Sequence, residues 1–495
     1  MAKNLKLFDF DNSYARLPER FYRRWMPTPV SRPSLLVSNY ALASELGARS
    51  ECLDAAQLAE IFAGNRMPEG ADPLAMAYAG HQFGHFVPQL GDGRAILLGE
   101  VLDKHGVRRD IQLKGCGQTP FSRLADGRAA LGPVIREYIV SEAMHALGIR
   151  TTRSLAAVTT GETVYRETLL PGAVLTRVAA SHIRIGTFEY FAARGDWEAV
   201  RRLADYTMDR HYPEAKAAVN PHVALLGYVL EAQAALVASW MHVGFIHGVM
   251  NTDNTALSGE TIDYGPCAFI DHYDPRMVFS SIDLQGRYAF GNQPPIAQWN
   301  LARLAETLLP LLDCDINKAA GMAEEVISTF PERFRQYWLT GMRKKLGFFT
   351  EEETDALLIE QLLSLMHRSG ADYTLAFRRL CDAADEKADD AALRQFFTEQ
   401  QDFSEWMKHW RRRLGHQTQS ATERSQAMRR VNLAYIPRNH HIERAIEAAV
   451  HHDDFSPIER LLQVLAHPYR EQAAFAEYAA PPLPTERVQQ TFCGT

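Results

Sequence analysis

A chain of 495 residues that is 46% apolar can bury a large core and points to two to four domains or subdomains. Its net charge of −7, with no dominant basic block, argues against a general nucleic-acid binder, because affinity for phosphate backbones rests on clustered Lys and Arg. The six cysteines are scattered without a C-x-x-C pair, so no structural zinc site is suggested.

The opening M-A-K-N-L-K-L-F-D-F-D-N is not a secretory signal: charge interrupts every apolar run and no small-residue cleavage site follows. Nor is any later segment expected to span a membrane, which takes ~18–20 uncharged residues. A soluble chain in the reducing cytoplasm is the expectation. Residues 1–75 mix turns at Pro27, Pro29 and Pro33 with helical patterns over 40–46 and 55–63, and read as an extension packed on the main body. From Tyr78 glycine becomes dense, in Y-A-G-H-Q-F-G-H-F-V-P-Q-L-G-D-G-R-A-I-L-L-G-E-V. Gly91-Asp92-Gly93-Arg94 is a tight turn before an apolar run at 95–98. Such a turn serves a hairpin or a phosphate, and Arg94 favours the phosphate, since a guanidinium suits phosphate oxygens.

Residues 108–114 alternate polar and apolar as a half-buried strand does, and end on Lys114. A second turn, Ala125-Asp126-Gly127-Arg128-Ala129, nearly repeats the first. Pro133 suits a helix start, and Val134, Tyr138, Met144 and Leu147 recur at helical spacing. Glu137 and Glu142 on that helix are both candidate partners for Lys114. Glu137 is favoured by its place near the helix start, and a solvated salt bridge is the alternative for either. A hairpin turning at Thr160-Gly161 is predicted between 154–158 and 162–167, with a further strand at 173–178. Arg177 and Arg184 either grip one phosphate together or bridge surface carboxylates. An amphipathic helix is predicted over 197–208. Asn220-Pro221 then supplies the cap and first turn of a helix running to about His242, apolar on most sides and therefore buried. Past the stretch from 244 to 265, residues 270–293 read as a polar loop, 301–312 as helix and 317–475 as almost entirely helical, with an acidic linker at 382–390. Trp406, Trp410 and the arginines at 411–413 are compatible with RNA contact, but a helix with one apolar and one charged face accounts for them.

The stretch G-F-I-H-G-V-M-N-T-D-N-T-A-L-S-G-E-T-I-D-Y-G, residues 244–265, carries the chemistry. It resembles the protein-kinase pairing of H-R-D-x-x-x-x-N with D-F-G, whose Asn and Asp hold the magnesium of ATP. His247 and Asn254 take the ends of the first motif and Asp263 opens the second, while Val249 fills the slot of the kinase base. Metal ligands without that base imply a nucleotide site with unusual chemistry. The expected fold class is therefore α+β, a protein-kinase-like bilobal fold with an N-terminal extension and a helical C-terminal region. The expected divisions are 1–75 extension, 76–180 N-lobe, 181–315 C-lobe with catalytic loop and D-Y-G motif, 316–480 helical region and 481–495 tail with Cys493.

Longer motifs are similar to the selenoprotein O family of pseudokinases: Y-A-G-H-Q-F-G at 78–84, G-D-G-R-A at 91–95, Q-L-K-G at 112–115, S-E-A-M-H-A-L-G-I at 141–149, H-G-V-M-N-T-D-N at 247–254, I-D-Y-G-P at 262–266 and a cysteine third from the end. That resemblance implies protein adenylylation, in which AMP passes from ATP, bound turned around relative to kinases, to Ser, Thr or Tyr hydroxyls of proteins and diphosphate leaves. It extends to UTP, with manganese, in some bacterial members. It further implies that Gly91, Gly93, Arg94, Lys114, Asp126 and Gly127 hold the nucleotide and that Arg177 and Arg184 grip its terminal phosphate. Asn254 and Asp263 would bind Mg2+ or Mn2+, and Asp253 would take the proton that Val249 cannot. Cys493 corresponds to the selenocysteine of eukaryotic members. Bacterial relatives link it to a cysteine in the activation segment, but residues 277–281 here hold none, leaving Cys267 as the nearest candidate for a redox switch. The alternatives are a phosphotransferase with Asp253 as base and a nucleotide-binding scaffold without turnover.

Overall fold

The computed structural model describes residues 6–49, 53–385 and 390–492. They form an α+β molecule whose named strand pairs are all antiparallel.

The first 75 residues contribute two strands to the main sheet. They supply β1 (Tyr22–Arg24), β2 (Ser34–Ser38) and the helices α1 (Tyr40–Glu45) and α2 (Ala55–Phe62). Next come β3 (Leu74–Met76), the small hairpin β4 (Gly80–Gln82) and β5 (His85–Val87), then β6 (Ala95–Leu102), β7 (Arg108–Lys114) and β8 (Ala129–Ala130). After α3 (Leu131–Ala146), β9 (Arg153–Tyr165) and β10 (Leu169–Ala179) complete the sheet in the order β1-β3-β6-β7-β10-β9-β2, with β8 pairing β10. Alternation decides which side chain faces which helix layer. Ile96, Leu98 and Val174 pack with Leu58, Ile61 and Phe62 of α2. Leu97, Ala173 and Leu175 point the other way, into the core containing Ile135 and Ile139 of α3. A sheet covered on both faces needs apolar residues at successive positions, which is why 95–98 reads as an unbroken run.

The expected hairpin at Thr160-Gly161 is corrected. β9 continues through both residues to Tyr165, and the chain reverses only at 166–168. Gly161 has φ +71°, and the β9–β10 register slips between Pro171 and Ala173, so this glycine marks a bulge. A Cβ there would lie 2.7 Å from Cβ of Arg32.

Below the sheet come α4 (Ile185–Ala192), α5 (Trp197–His211) and α6 (Pro221–Val243). Asn220 caps α6 by accepting the Val223 N–H at 3.2 Å, Pro221 opens its first turn, and Gly244 ends it at φ +74°. This helix is long and apolar enough to cross a membrane by length and composition, although Glu231 interrupts its uncharged run. Most of it is enclosed by protein, however, and it packs on α7 (Gln293–Leu312), α8 (Ile316–Ser328) and α9 (Phe330–Lys345), as a core helix does. Between α6 and α7 lie the two-stranded pair β11 (Phe245–Ile246) and β12 (Ala268–Phe269), and the loops around it.

The remainder is helical: α10 (Asp355–Ser369), α11 (Tyr373–Ala383), α12 (Ala391–Arg394), α13 (Gln400–Leu414), α14 (Ala421–Arg429), α15 (Asn439–His452) and α16 (Ser456–Leu465). Trp406 and Trp410 of α13 are buried, and their indole N–H groups donate to Leu358 O at 2.9 Å and Leu346 O at 3.0 Å. They are core anchors and not a stacking platform for RNA bases. The last two helices return to pack on α3.

Candidate active site

Asp263 is the electrostatic hub. Strand β7 delivers Lys114 at its end, and the neighbouring β10 delivers Arg177 opposite Gln112. Lys114 Nζ lies 2.6 Å from Glu137 Oε2 and 2.8 Å from Asp263 Oδ1. Arg177 donates to Asp263 Oδ1 at 2.6 Å, to Glu137 Oε1 at 3.2 Å and to Gln112 Oε1 at 2.6 Å. Arg184, just before α4, pairs with Asp263 Oδ2, donates to the Asp253 carbonyl at 2.6 Å, and stacks 4.7 Å from the Tyr78 ring centre. Burial would push the Asp263 carboxyl up, but Arg177, Arg184 and Lys114 override it and hold it well below the usual carboxylate range. Asp263 itself adopts φ +64°, a conformation that costs a non-glycine residue on the order of 1–3 kcal/mol and needs such partners to persist.

The two glutamates are thereby separated. Glu137 meets Lys114, whereas Glu142 is drawn off by Arg153, whose Nη2 and Nε lie 2.7 and 2.9 Å from its oxygens.

The loop after α6 is tied down through its ends. His247 is buried, donates its backbone N–H to Gln293 Oε1 at 3.0 Å and pairs its Nε2 with Ile262 O at 2.9 Å. Asn254 donates its amide to Val249 O at 2.9 Å, which leaves its side-chain oxygen available. Asp253 is 7% exposed; Gln82 donates to its Oδ2 at 3.2 Å, and its Oδ1 has no hydrogen-bond partner among the described residues. Burial pushes this carboxyl up to about 7, against the pull of Arg184 and Gln82. Two acidic groups in one cleft thus sit at opposite ends of the scale.

Two glycine loops close the other side. At Gly91 (φ +76°) a Cβ would meet the Phe121 ring at 2.4 Å, and at Gly127 (φ +69°) it would lie 2.2 Å from the Gly117 backbone. Asp126 is held by Arg166 at 2.9 Å and caps the Arg128 N–H at 2.9 Å. Gly91, Gly93, Arg94, Asp126 and Gly127 line one cavity of about 750 Å³. Lys114, Arg177, Arg184, Asp253, Asn254 and Asp263 line the same cavity, so the residues expected at the nucleotide, the metal and the base meet there. Sequence reasoning missed Gln82, Asn251 and Asp92, which also line it. Asp92 sits inside the G-D-G turn, where it accepts the Met76 N–H at 3.1 Å and the Gln112 amide at 3.2 Å, and burial pushes its carboxyl up to about 6.

The donors suit a hard divalent cation. Asn254 keeps an unspent amide oxygen, and Asp263 a carboxylate with more lone pairs than its partners occupy. No cluster of three His, Cys, Asp or Glu gathers among the described residues. A cation that keeps waters and takes phosphate oxygens needs only one or two protein ligands.

Cys267 is buried next to Pro266, and Cys493 lies outside the described residues. Two positions before it, Thr491 donates its N–H to Phe279 O at 2.7 Å and its hydroxyl to Pro266 O at 2.6 Å.

Comparison with known proteins gives this cleft a family. The sequence profile of the family described as "Protein adenylyltransferase SelO" matches residues 4–466. Proteins named protein nucleotidyltransferase YdiU are similar along their whole length. That of Rhizobium meliloti (strain 1021) is 62% identical over 488 residues, 99% of each chain. That of Rhizobium rhizogenes (strain K84) is 63% identical over 486 residues, 98% of this chain and 97% of its own. That of Rhodopseudomonas palustris (strain HaA2) is 60% identical over 488 residues, again 99% of each. With a match running through nearly the entire sequence, the chain belongs to the SelO family of protein nucleotidyltransferases.

Proposed function

We propose that the chain transfers AMP from ATP to Ser, Thr or Tyr hydroxyls of other proteins, with release of diphosphate, on a protein-kinase-like bilobal scaffold. The observation that carries this reading is the placement of a buried Asp253 in the same cleft as three cations converging on Asp263. The expected divisions at 75, 180, 315 and 480 belong to the same proposal, as does residence in the cytoplasm, where ATP and protein substrates meet.

The polyphosphate enters between the glycine loops and the Lys114–Arg177–Arg184 cluster. Backbone N–H groups at Gly91, Gly93 and Gly127 can approach phosphate closely because no Cβ intervenes, and Arg94 adds charge. Arg177 and Arg184 take the deep terminal phosphate, which leaves the α-phosphate toward Asp253. The acceptor oxygen attacks the α-phosphorus, the bond from that phosphorus to the bridging oxygen breaks, and the hydroxyl proton passes to Asp253. Diphosphate leaves with the electron pair, against the same cations. Such transfers depend mostly on positioning and charge neutralisation, with general-base help of about 10²–10⁴ in rate. Asn254 and Asp263 would hold Mg2+ or Mn2+, which supplies charge neutralisation on the phosphates when bound. UTP fits the same chemistry, because the reacting groups lie on the phosphates and not on the base.

Product analysis tests the reading. Incubation of the enzyme with ATP, a divalent cation and lysate proteins should yield diphosphate in step with acceptor modification. ADP in its place would establish the phosphotransferase reading, with Asp253 still the base, and neither product would leave a silent nucleotide-binding scaffold.

A further inference from the structure

The β4–β5 hairpin, which carries no chemistry in the reading above, is bound to the catalytic loop residue by residue. Asn251 Oδ1 accepts the Phe83 N–H at 3.0 Å and the Tyr288 hydroxyl at 2.6 Å. Thr252 Oγ1 accepts the His81 N–H at 2.6 Å and donates to Glu189 Oε2 at 2.5 Å. Asp253 Oδ2 accepts the Gln82 amide at 3.2 Å. Three successive loop residues thus each meet a different hairpin residue across some 170 positions of sequence.

The fit behind Asp253 is tighter still. A Cβ placed on Gly80 would lie 2.5 Å from Asp253 Oδ1, 2.9 Å from its Cβ and 3.0 Å from its Cγ. The Asp253 side chain therefore occupies the notch that the missing methyl leaves. The hairpin cannot back away, because α4 stands behind it: Ala79 N–H donates to Gly186 O at 2.9 Å, and a Cβ on Gly186 would reach Ala79 O at 2.1 Å. Glycines at 80 and 186 permit both approaches, and neither has a positive φ, so close packing and not backbone conformation accounts for them.

We propose that Gly80 and Gln82 are positioning residues for the transfer reaction, forming a clamp that fixes the Asp253 carboxylate in one rotamer at the cleft wall. An aspartate free to turn about χ1 and χ2 presents its lone pairs in many directions, and the acceptor hydroxyl can use only some of them. Gln82 pins one oxygen from the cleft side with a neutral donor, and Gly80 receives the other from behind. A Lys or Arg at position 82 would pin the group equally well but would compete as a counter-charge for the oxygen that takes the proton. The proposal rests on the reading of Asp253 as the base.

A double-mutant cycle tests it with the full-length enzyme, ATP labelled at the α-phosphate and a fixed pool of acceptor protein. Gln82→Leu and Gly80→Ala should each lower kcat at least tenfold, as a displacement of about 1 Å at the reacting group does, while the KM for ATP stays within about threefold and the melting temperature of Gln82→Leu stays near wild type. In an Asp253→Ala background neither substitution should lower the residual rate further, because the group they position is gone. Equal proportional losses in both backgrounds, or a loss confined to KM, would overturn the clamp. If Gly80→Ala fails to fold, Gln82→Leu decides the matter alone, since its side chain lines the cavity. Undiminished transfer by Asp253→Ala itself would remove the base assignment and the clamp with it.

Discussion

Asp253 and Asp263 share one cleft yet are driven to opposite ends of the carboxylate range, because burial dominates at the first and three cations dominate at the second. Their pH behaviour should differ accordingly. Transfer should rise as pH passes through about 7 and level off above it, as Asp253 loses its proton. Initial rates at saturating ATP check this, and a rate already at its plateau near pH 5 would contradict it. Stability follows the same groups. Asp253 titrates near 3.8 when unfolded and about 7 when folded, so between those values the folded state holds the extra proton and its contribution to stability falls as pH rises. Asp263 behaves oppositely: the stability it adds is present at neutral pH and is lost as pH falls below 3.8 toward its depressed folded value. Asp253→Asn should therefore raise the melting temperature of the nucleotide-free protein at pH 8 while cutting transfer ~10²–10⁴-fold. Asp263→Ala should abolish transfer and destabilise the fold by roughly 3–5 kcal/mol, since it strands buried cations; urea titration measures the second effect. A melting curve for Asp263→Ala that matches wild type would show the hub to be dispensable for folding.

The elements that present these side chains differ in how openly the sequence declares them. Strand β7 was legible as a strand because residues 108–114 alternate polar and apolar, but it is not half-buried as expected, since Asp110 and Gln112 are as buried as Ile111 and Leu113. Helix α6 was legible through Asn220 and Pro221, local signals that need no tertiary context. Asn220→Ala should cost about 1 kcal/mol in urea unfolding and leave the transfer rate unchanged. The misread turn at Thr160-Gly161 has a physical cause: a positive-φ glycine serves a bulge and a reversal equally, and only the partner strand distinguishes them. The choice between Glu137 and Glu142 needed Arg153, which arrives from β9 to claim Glu142. Gln82 could not be found at all, because its partner lies 171 positions away and a glutamine in a glycine-rich segment carries no local signature. The glycine loops were legible as loops, and their shared cavity was not. Gly127→Ala should weaken ATP binding at least tenfold, since both the backbone conformation and the 2.2 Å approach to Gly117 are lost; isothermal titration with ATP and Mg2+ checks it, and unchanged affinity would remove this loop from the nucleotide site.

At the scale of the whole molecule, the helical C-terminal region is part of the site's foundation. Helix α3, which carries Glu137, packs on the sheet with one face and on α15 and α16 with another. Arg136, next to Glu137, pairs with Glu443 of α15, and Asn439 bonds both ways with the backbone of Phe269 at 3.3 and 2.9 Å. Removal of residues 430–495 should therefore expose the apolar back of α3 and yield an aggregating chain without cooperative unfolding, as read by calorimetry. A soluble, ATP-binding truncation would show the region to be an independent appendage. On the proposed reading, the cleft, the loop and the supporting helices form one apparatus that presents an α-phosphate to a protein hydroxyl beside Asp253. Parallel reactions with ATP labelled at the α- or the γ-phosphate test that claim most directly: label should reach protein only from the α-position and fall ~10²–10⁴-fold in Asp253→Asn, and protein labelled from the γ-position would contradict the account.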